Sequence, residues 1–260
     1  MENPQDNTIL TPRQLGFILM LTLFIFWAFA FVMTFLGDIL ALIIGEALLI
    51  LPALIFVIHR RLPLFSTFRL RKINGSQALA TLALFAPVFV LSDELDRIVQ
   101  SLFPMPSDWY DALSDLLQFD SMGEMLGLVL AGVLLAAFAE EMLFRGLIQR
   151  TLEHYREPAM AIVLSSVFFA LIHFNPWTSI QILLLGLVMG YVTWKSQSIL
   201  PSIIIHGMNN FLSLMLMNSA EESLAWYSKT NHVNVIWIIA ATLLIVPAFR
   251  YFNRVSEPSE

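Results

Sequence analysis

Eight long runs of apolar residues dominate this chain of 260 residues. A helix that crosses a bilayer needs about 20 mostly apolar residues, and most of the runs approach that length. The runs at 78–91 and 159–173 are shorter, and they would span by tilting or by including their polar flanks. The sequence therefore predicts an all-α fold, a polytopic membrane bundle of about eight transmembrane helices. The eight runs are 15–36, 39–58, 78–91, 126–144, 159–173, 178–194, 199–217 and 233–249.

The overall composition supports this class. Hydrophobic residues make up 58% of the chain and charged residues only 13%, against about 45–50% and ~25% in ordinary soluble domains. A soluble domain of this size cannot bury so much apolar surface, so the composition excludes a globular cytosolic enzyme and a disordered protein. The net charge of −6 argues against nucleic acid as a partner. We expect one integral membrane domain over 1–260, with the lipid bilayer as its surroundings.

The distribution of basic residues predicts the orientation of the chain. If the N-terminus is cytoplasmic, twelve of the 14 Lys and Arg residues lie in cytoplasmic segments. The two that remain, Arg97 and Lys229, then lie outside. Because cytoplasmic segments of membrane proteins are enriched in Lys and Arg, we expect both termini on the cytoplasmic side.

Several ionisable residues interrupt the fourth apolar run. A charged side chain at the bilayer centre costs at least ~2.5–3.5 kcal/mol, so each needs a structural or functional reason. Glu141 and Arg145 are four residues apart and share a helix face, which predicts an ion pair between them. Glu140 points about 100° away and has no partner in its own helix, so it is the carboxylate available for chemistry.

Further polar residues lie in the later runs. His173 ends the fifth run, whereas His206 and Asn210 are four residues apart on one face of the seventh. Counted at 1.5 Å per residue, Glu140 and His206 lie roughly 12–13 Å from the cytoplasmic edge and His173 roughly 21 Å. We therefore expect these side chains to meet in one layer between mid-membrane and the cytoplasmic face. A hydrogen bond between helices is the alternative role for the His206 and Asn210 pair.

Two interpretations of this set lead to hydrolysis of an amide bond. In the first, which needs no cofactor, Glu140 and His173 activate water, and His206 with Asn210 donates hydrogen bonds to the oxyanion. In the second, Glu140, His173 and His206 bind zinc and leave one position open for water. The chain contains no cysteine, so cysteine nucleophiles and thiolate metal sites are excluded. The zinc signature His-Glu-x-x-His is also absent.

Two other features of the spans stand out. Glu46 lies within the second run without a partner that the sequence can name, and it could line a water-filled cavity. Gly186 and Gly190 form a small-xxx-small pair on the sixth run, which predicts close packing against another helix.

Three short motifs resemble those of the CPBP family of intramembrane endopeptidases, which includes type II CAAX prenyl proteases and bacteriocin-processing and immunity proteins. They are Glu-Glu-x-x-Phe-Arg-Gly at 140–146, Phe-x-x-x-His at 169–173 and His-x-x-x-Asn at 206–210. Their order, spacing and placement on helices all fit, and they define a motif-bearing core at 122–217. The first three runs match the family only in being membrane helices.

The resemblance implies an activity and a set of roles. Glu140 and His173 would activate water, His206 and Asn210 would stabilise the oxyanion, and Glu141 and Arg145 would support the site. The substrate would be a membrane-associated protein or peptide such as a prenylated CAAX tail, and the location the inner membrane of a prokaryotic cell. Two alternatives stay open, a proton-coupled transporter that uses the Glu and His residues as a relay, and a non-catalytic immunity or scaffold protein.

Overall fold

The computed structural model describes residues 9–33, 38–229 and 231–256. Ten helices run through these residues, and they are joined by short connections. The helices are Pro12–Met33 (α1), Asp38–His59 (α2), Leu64–Thr67 (α3), Gly75–Leu102 (α4), Ser107–Leu117 (α5), Met122–Tyr155 (α6), Pro158–Ile172 (α7), Ser179–Ser196 (α8), Leu200–Met217 (α9) and Val235–Val255 (α10). A 3₁₀ turn at Glu221–Leu224 and a small antiparallel hairpin, Ser228–Lys229 (β1) with His232–Val233 (β2), lie between α9 and α10.

The all-helical membrane architecture is confirmed. Seven helices in the described part of the chain, α1, α2, α4, α6, α8, α9 and α10, are long and apolar enough to cross a membrane. The fifth predicted span is α7, which has only 15 residues and falls short of that length. The end of the first predicted run, 34–36, lies outside the described residues. The count of eight spans and the cytoplasmic location of both termini stay predictions.

The outward faces of the helices are apolar. On α10 a row of large hydrophobic side chains is exposed, as expected for a helix that contacts lipid rather than water. These exposed residues are Val235, Ile236, Ile239, Leu243, Leu244 and Val246.

Helix α6 occupies the centre of the bundle, where it contacts α2, α7, α8 and α9. It begins with a capping box in which Ser121 accepts from the backbone N–H of Glu124 and the Glu124 side chain accepts from that of Ser121. Two π-helical segments, Val129–Leu135 and Met142–Gln149, interrupt its α-helical geometry. Such segments are often found at functional sites, and here they flank the turn that carries Glu140 and Glu141.

Helix α8 packs closely on α7 and α6, as its two glycines predict. A Cβ added to Gly186 would lie 3.1 Å from the Cβ of Ser166, and one added to Gly190 would lie 2.9 Å from Ile162 on α7 and from Gln149 on α6. Only a residue without a side chain allows this separation of the helices.

Polar contacts connect the hairpin and the preceding Tyr227 to the C-terminal third of α4. The Tyr227 hydroxyl donates to Asp93 at 2.8 Å, while Glu94 accepts from the Val233 N–H and contacts His232 Nδ1, each at 2.8 Å. Burial of the phenol, together with the neighbouring Asp93 carboxylate, holds the pKa of Tyr227 well above its usual value. Tyr227 therefore stays a hydrogen-bond donor at neutral pH.

Candidate active site

A buried ion cluster links the first and third motifs. Nη1 of Arg145 donates to Oε1 of Glu141 at 2.8 Å, and both side chains are fully buried. Nδ1 of His206, on α9, lies 3.0 Å from the same oxygen. The predicted pair of Glu141 and Arg145 is therefore confirmed, and the contact with His206 is an addition that the spacing did not reveal. Since a carboxylate only accepts, the hydrogen between Glu141 and His206 belongs to Nδ1.

Arg145 also anchors α6 to its neighbours. Its Nη2 donates to the backbone carbonyl of Gly186 on α8 at 3.2 Å, and its Cζ lies 4.2 Å from the ring centre of Phe169 on α7. One turn further along α6, Gln149 repeats the first contact by donating to the carbonyl of Gly190 at 2.9 Å. These contacts hold three helices in register around the motif residues.

The glycine that ends the first motif allows a close approach of the backbone. A Cβ on Gly146 would lie 2.8 Å from the backbone oxygen of Phe68, in the segment that follows α3. Phe68 is fully buried and belongs to the hydrophobic core, so a shift of this segment would disturb core packing. The glycine in the motif therefore serves packing, which positions the helix that carries Glu140 and Glu141.

Glu140 faces His173 from across the α6–α7 contact. The distance from Oε2 of Glu140 to Nε2 of His173 is 3.8 Å. Nδ1 of His173 lies 2.7 Å from the backbone oxygen of Phe169, which only accepts, so Nδ1 carries the hydrogen. Nε2 is then left as the nitrogen that faces the carboxylate. A separation of 3.8 Å is too long for a direct hydrogen bond but allows one water molecule to contact both groups.

Phe169 is the ring that the functional side chains share. Its centroid lies 4.9 Å from that of His173 and 5.7 Å from that of His206, both in edge-on geometry. Arg145 covers its face, and only 1% of the residue is exposed. The motif phenylalanine thus fixes the relative position of the two imidazoles and the guanidinium.

Asn210 makes a contact between helices. Its Nδ2 donates at 2.9 Å to the backbone oxygen of Gly132, in the first π-helical segment of α6. This contact matches the alternative role that the sequence left open, a hydrogen bond that joins two helices. The amide has a second hydrogen, which this contact leaves available.

Two cavities adjoin these residues, and His173 lines both. The larger has a volume of about 740 Å³ and lies between α1, α2, α6 and α7, with Glu46 and Glu140 in its otherwise mainly apolar wall. The smaller has a volume of about 280 Å³ and is lined by His206 and Asn210 together with His173. The predicted catalytic residues therefore divide between two adjoining spaces, with Glu140 on one side of His173 and the proposed oxyanion donors on the other.

The alternative zinc set is not assembled. Among the residues that the structure describes, no three His, Asp or Glu side chains are close enough together to hold a metal ion. Glu140 approaches His173, but the carboxylate beside His206 is Glu141. The arrangement therefore does not fit the ligand set Glu140, His173 and His206.

Sequence reasoning missed three participants. The carbonyl of Gly132 and the hydroxyl of Thr22 carry no signal in an apolar run. Gln149 lies beyond the fourth apolar run, where a polar side chain is expected and draws no attention. Glu46 gave a weak signal, because the free-energy cost of a carboxyl group in an apolar helix implied a cavity. The structure places Glu46 on the wall of the larger cavity.

Comparisons with known proteins agree with the motifs. Residues 123–212 match the family model described as type II CAAX prenyl endopeptidase Rce1-like. Comparison of the chain with curated proteins and with solved structures gave no match. The matched segment contains every residue of the three motifs, whereas α1, α2 and α4 lie before it. The resemblance predicted from those motifs is thereby confirmed, since residues 123–212 match an Rce1-like domain of the type II CAAX prenyl endopeptidases.

Proposed function

We propose that this protein is an intramembrane endopeptidase that hydrolyses a peptide bond of a membrane-associated CAAX-type substrate with water activated by Glu140 and His173. One observation carries the proposal: Glu140 and His173 face each other at 3.8 Å on the wall of a large, mainly apolar cavity. The match to an Rce1-like domain supports the class of reaction.

The nucleophile is a water molecule held between the two side chains. His173 keeps its hydrogen on Nδ1 through the Phe169 carbonyl, so Nε2 of the neutral ring accepts. A water molecule that donates one hydrogen to Glu140 and the other to His173 directs a lone pair away from both. Glu140 takes a proton as the water oxygen adds to the carbonyl carbon of the substrate.

His206 and Asn210 stabilise the oxyanion that this addition forms. Since Nδ1 of His206 donates to Glu141, the ring can donate from Nε2 only when both nitrogens carry hydrogen. In this form Nδ1–H stays on the Glu141 carboxylate while Nε2–H is free to donate to the oxyanion. The second amide hydrogen of Asn210 completes the pair of donors. Collapse of the intermediate then breaks the C–N bond as the nitrogen gains a proton.

The shape of the larger cavity suits a lipid-modified peptide. Its volume of about 740 Å³ lies within the range of roughly 300–1,000 Å³ that is typical of ligand pockets. Most of its wall is apolar, and three of the helices that form it, α1, α2 and α6, are long enough to cross a membrane. We therefore propose a prenylated CAAX peptide as the first substrate to test.

The test is hydrolysis of a farnesylated CAAX peptide by the purified protein in detergent, followed by mass spectrometry. We expect Glu140→Gln to abolish cleavage without loss of folding, because an amide keeps the shape but cannot take a proton from water. Glu157→Gln, an exposed site that precedes α7, is the matched control and should cleave normally. Turnover by Glu140→Gln at the wild-type rate would contradict the proposal. Proton-coupled uptake without cleavage would indicate a transporter, and binding alone a scaffold.

A further inference from the structure

Three helices that line the larger cavity each contribute a residue with a buried polar atom that lacks a hydrogen-bond partner. These atoms are Oγ1 of Thr22 on α1, Oε2 of Glu46 on α2 and Oε2 of Glu140 on α6. Buried polar atoms normally have a hydrogen-bond partner, so three of them around one space indicate that it receives a polar group. Thr22 and Glu46 lie before the Rce1-like domain, which therefore does not contain the whole site.

The two carboxyl groups have different electrostatic surroundings. Glu140 interacts electrostatically with the guanidinium of Arg145, so it has a neighbour of opposite charge. The charged neighbour of Glu46 is Glu140, which has the same sign. The titratable groups that line this cavity are Glu46 from α2, Glu140 from α6 and His173 from α7, and α1 contributes none. The neutral form of such a carboxyl group avoids placing two like charges in one apolar wall.

We propose that Glu46 is a further catalytic residue, the general acid that donates a proton to the nitrogen of the leaving amine. This inference rests on the proposed function and deepens it, because it assigns the general-base and general-acid roles to two different carboxyl groups of one cavity. The ionised Glu140 acts as the base and the neutral Glu46 as the acid, a division that follows whenever the surroundings of two such groups differ in this way.

The proton balance of the cycle is complete with these two groups. Glu140 takes one proton from water while the water oxygen bonds to the carbonyl carbon. Glu46 gives its proton to the nitrogen as the C–N bond breaks, which releases the amine and leaves Glu46 ionised. The proton on Glu140 then passes to Glu46, directly or through water, and both groups return to their starting states.

The leaving group provides a sharp test of this role. The test compares cleavage of a farnesylated CAAX peptide with cleavage of the same peptide in which an ester replaces the scissile amide. An alcohol leaves with far less need of a proton donor than an amine does. In Glu46→Gln the amide side chain can form hydrogen bonds but cannot give a proton, so we expect kcat for the amide to fall about 10²-fold or more. The kcat for the ester should stay within about threefold of wild type if the general-acid step alone is lost.

Two variants calibrate the comparison. Glu140→Gln removes the base and should lose cleavage of both substrates, whereas the exposed Glu157→Gln should retain both. Equal loss of amide and ester cleavage in Glu46→Gln would overturn the assignment, as would wild-type rates on both substrates. In either case wild-type cleavage that depends on Glu140 leaves the proposed function in place. A wild type that cleaves neither substrate overturns both proposals.

A measurement without turnover tests the protonation of Glu46 directly. The infrared spectrum of the purified protein at neutral pH should contain the carbonyl band of a protonated carboxyl group that Glu46→Gln lacks. The band should persist in Glu157→Gln and in Glu140→Gln. If the spectra of wild type and Glu46→Gln do not differ in this band, Glu46 is ionised and cannot be the acid, whatever the activity of the protein.

Discussion

Nδ1 of His206 lies 3.0 Å from Oε1 of Glu141, and this contact joins two residues that are 65 positions apart in the chain. Arg145 donates to the same oxygen at 2.8 Å. Glu141 therefore has two functions, since it neutralises a buried guanidinium and orients the imidazole that we propose as an oxyanion donor. A carboxylate that orients a histidine in this way also fixes which ring nitrogen carries the hydrogen.

Glu141→Gln should destabilise the fold as well as impair catalysis. The substitution leaves the fully buried Arg145 without its counter-charge, and loss of one partner of a buried ion pair costs about 3–5 kcal/mol. We expect a large fall in the thermal midpoint in detergent, measured by intrinsic fluorescence, and a fall in the kcat of the folded fraction.

A double substitution separates these two effects. Replacing both partners, as in Glu141→Leu with Arg145→Met, removes the buried charges together and should recover much of the stability lost in Glu141→Gln. It should not recover kcat, because His206 still lacks its carboxylate. A double variant as unstable as the single one would show that the ion pair is not the main source of the loss.

Gly146→Ala should destabilise the protein through a clash with backbone. The new Cβ would lie 2.8 Å from the Phe68 oxygen, and backbone atoms cannot rotate away as the end of a side chain can. Overpacking of this kind costs about 1–3 kcal/mol, which we expect as a lower thermal midpoint. Gly16→Ala on α1 is the matched control, because a Cβ there meets nothing within 4 Å. Equal midpoints for the two variants would contradict the packing role of Gly146.

From the sequence, the helices and the side-chain contacts within one helix could be predicted better than the contacts between helices. Each of the eight apolar runs corresponds to a helix, because apolar length is a property of a single segment. The pair of Glu141 and Arg145 followed from their spacing on one helix for the same reason. Helix α7 is shorter than a span because its polar flanks begin new connections instead of extending the helix.

Contacts between helices depend on how each helix is rotated about its axis, which apolar runs do not specify. Counting residues placed Glu140, His173 and His206 at similar depth but could not show that they line two cavities. The choice of Glu141 rather than Glu140 as the partner of His206 depends on the same rotation. The position of Thr22 on the cavity wall could not be predicted, because a hydroxyl side chain in an apolar run is common and costs little free energy.

Hydrolysis should not require a metal ion. Within the ranges that the structure describes, no group of three His, Asp or Glu residues could hold one, and Nδ1 of His206 is directed to Glu141. We expect wild-type cleavage of the farnesylated peptide to persist after dialysis against a strong chelator, with metal content measured on the same sample. Stoichiometric zinc that is lost together with activity, and restores it on return, would contradict this expectation.

Both termini should be cytoplasmic, as the basic residues predict. The chain has no cysteine, so single cysteines introduced for labelling report without background. Ser66 in α3 and Ala112 in α5 are both exposed, and the predicted topology places them on opposite sides of the membrane. In intact cells an impermeant maleimide should label Ala112→Cys and spare Ser66→Cys until the membrane is opened. The reverse pattern would invert the orientation.

Asn210→Ala should lower kcat strongly and the free energy of unfolding only slightly. The bond from Asn210 to the Gly132 carbonyl is one neutral hydrogen bond, which contributes about 0.5–1.5 kcal/mol to folding. Removal of an oxyanion donor instead costs about 10²–10³ in turnover, with little change in KM, because the contact is strongest in the transition state. Asn218→Ala is the matched control, since Asn218, the C-cap residue of the same helix, also bonds backbone groups, at Phe119, Leu117 and Leu214. It should lower the thermal midpoint at least as much, because more hydrogen bonds are lost, and leave kcat unchanged. If Asn210→Ala behaves as Asn218→Ala does, Asn210 only joins two helices, and the oxyanion is stabilised by His206 without it.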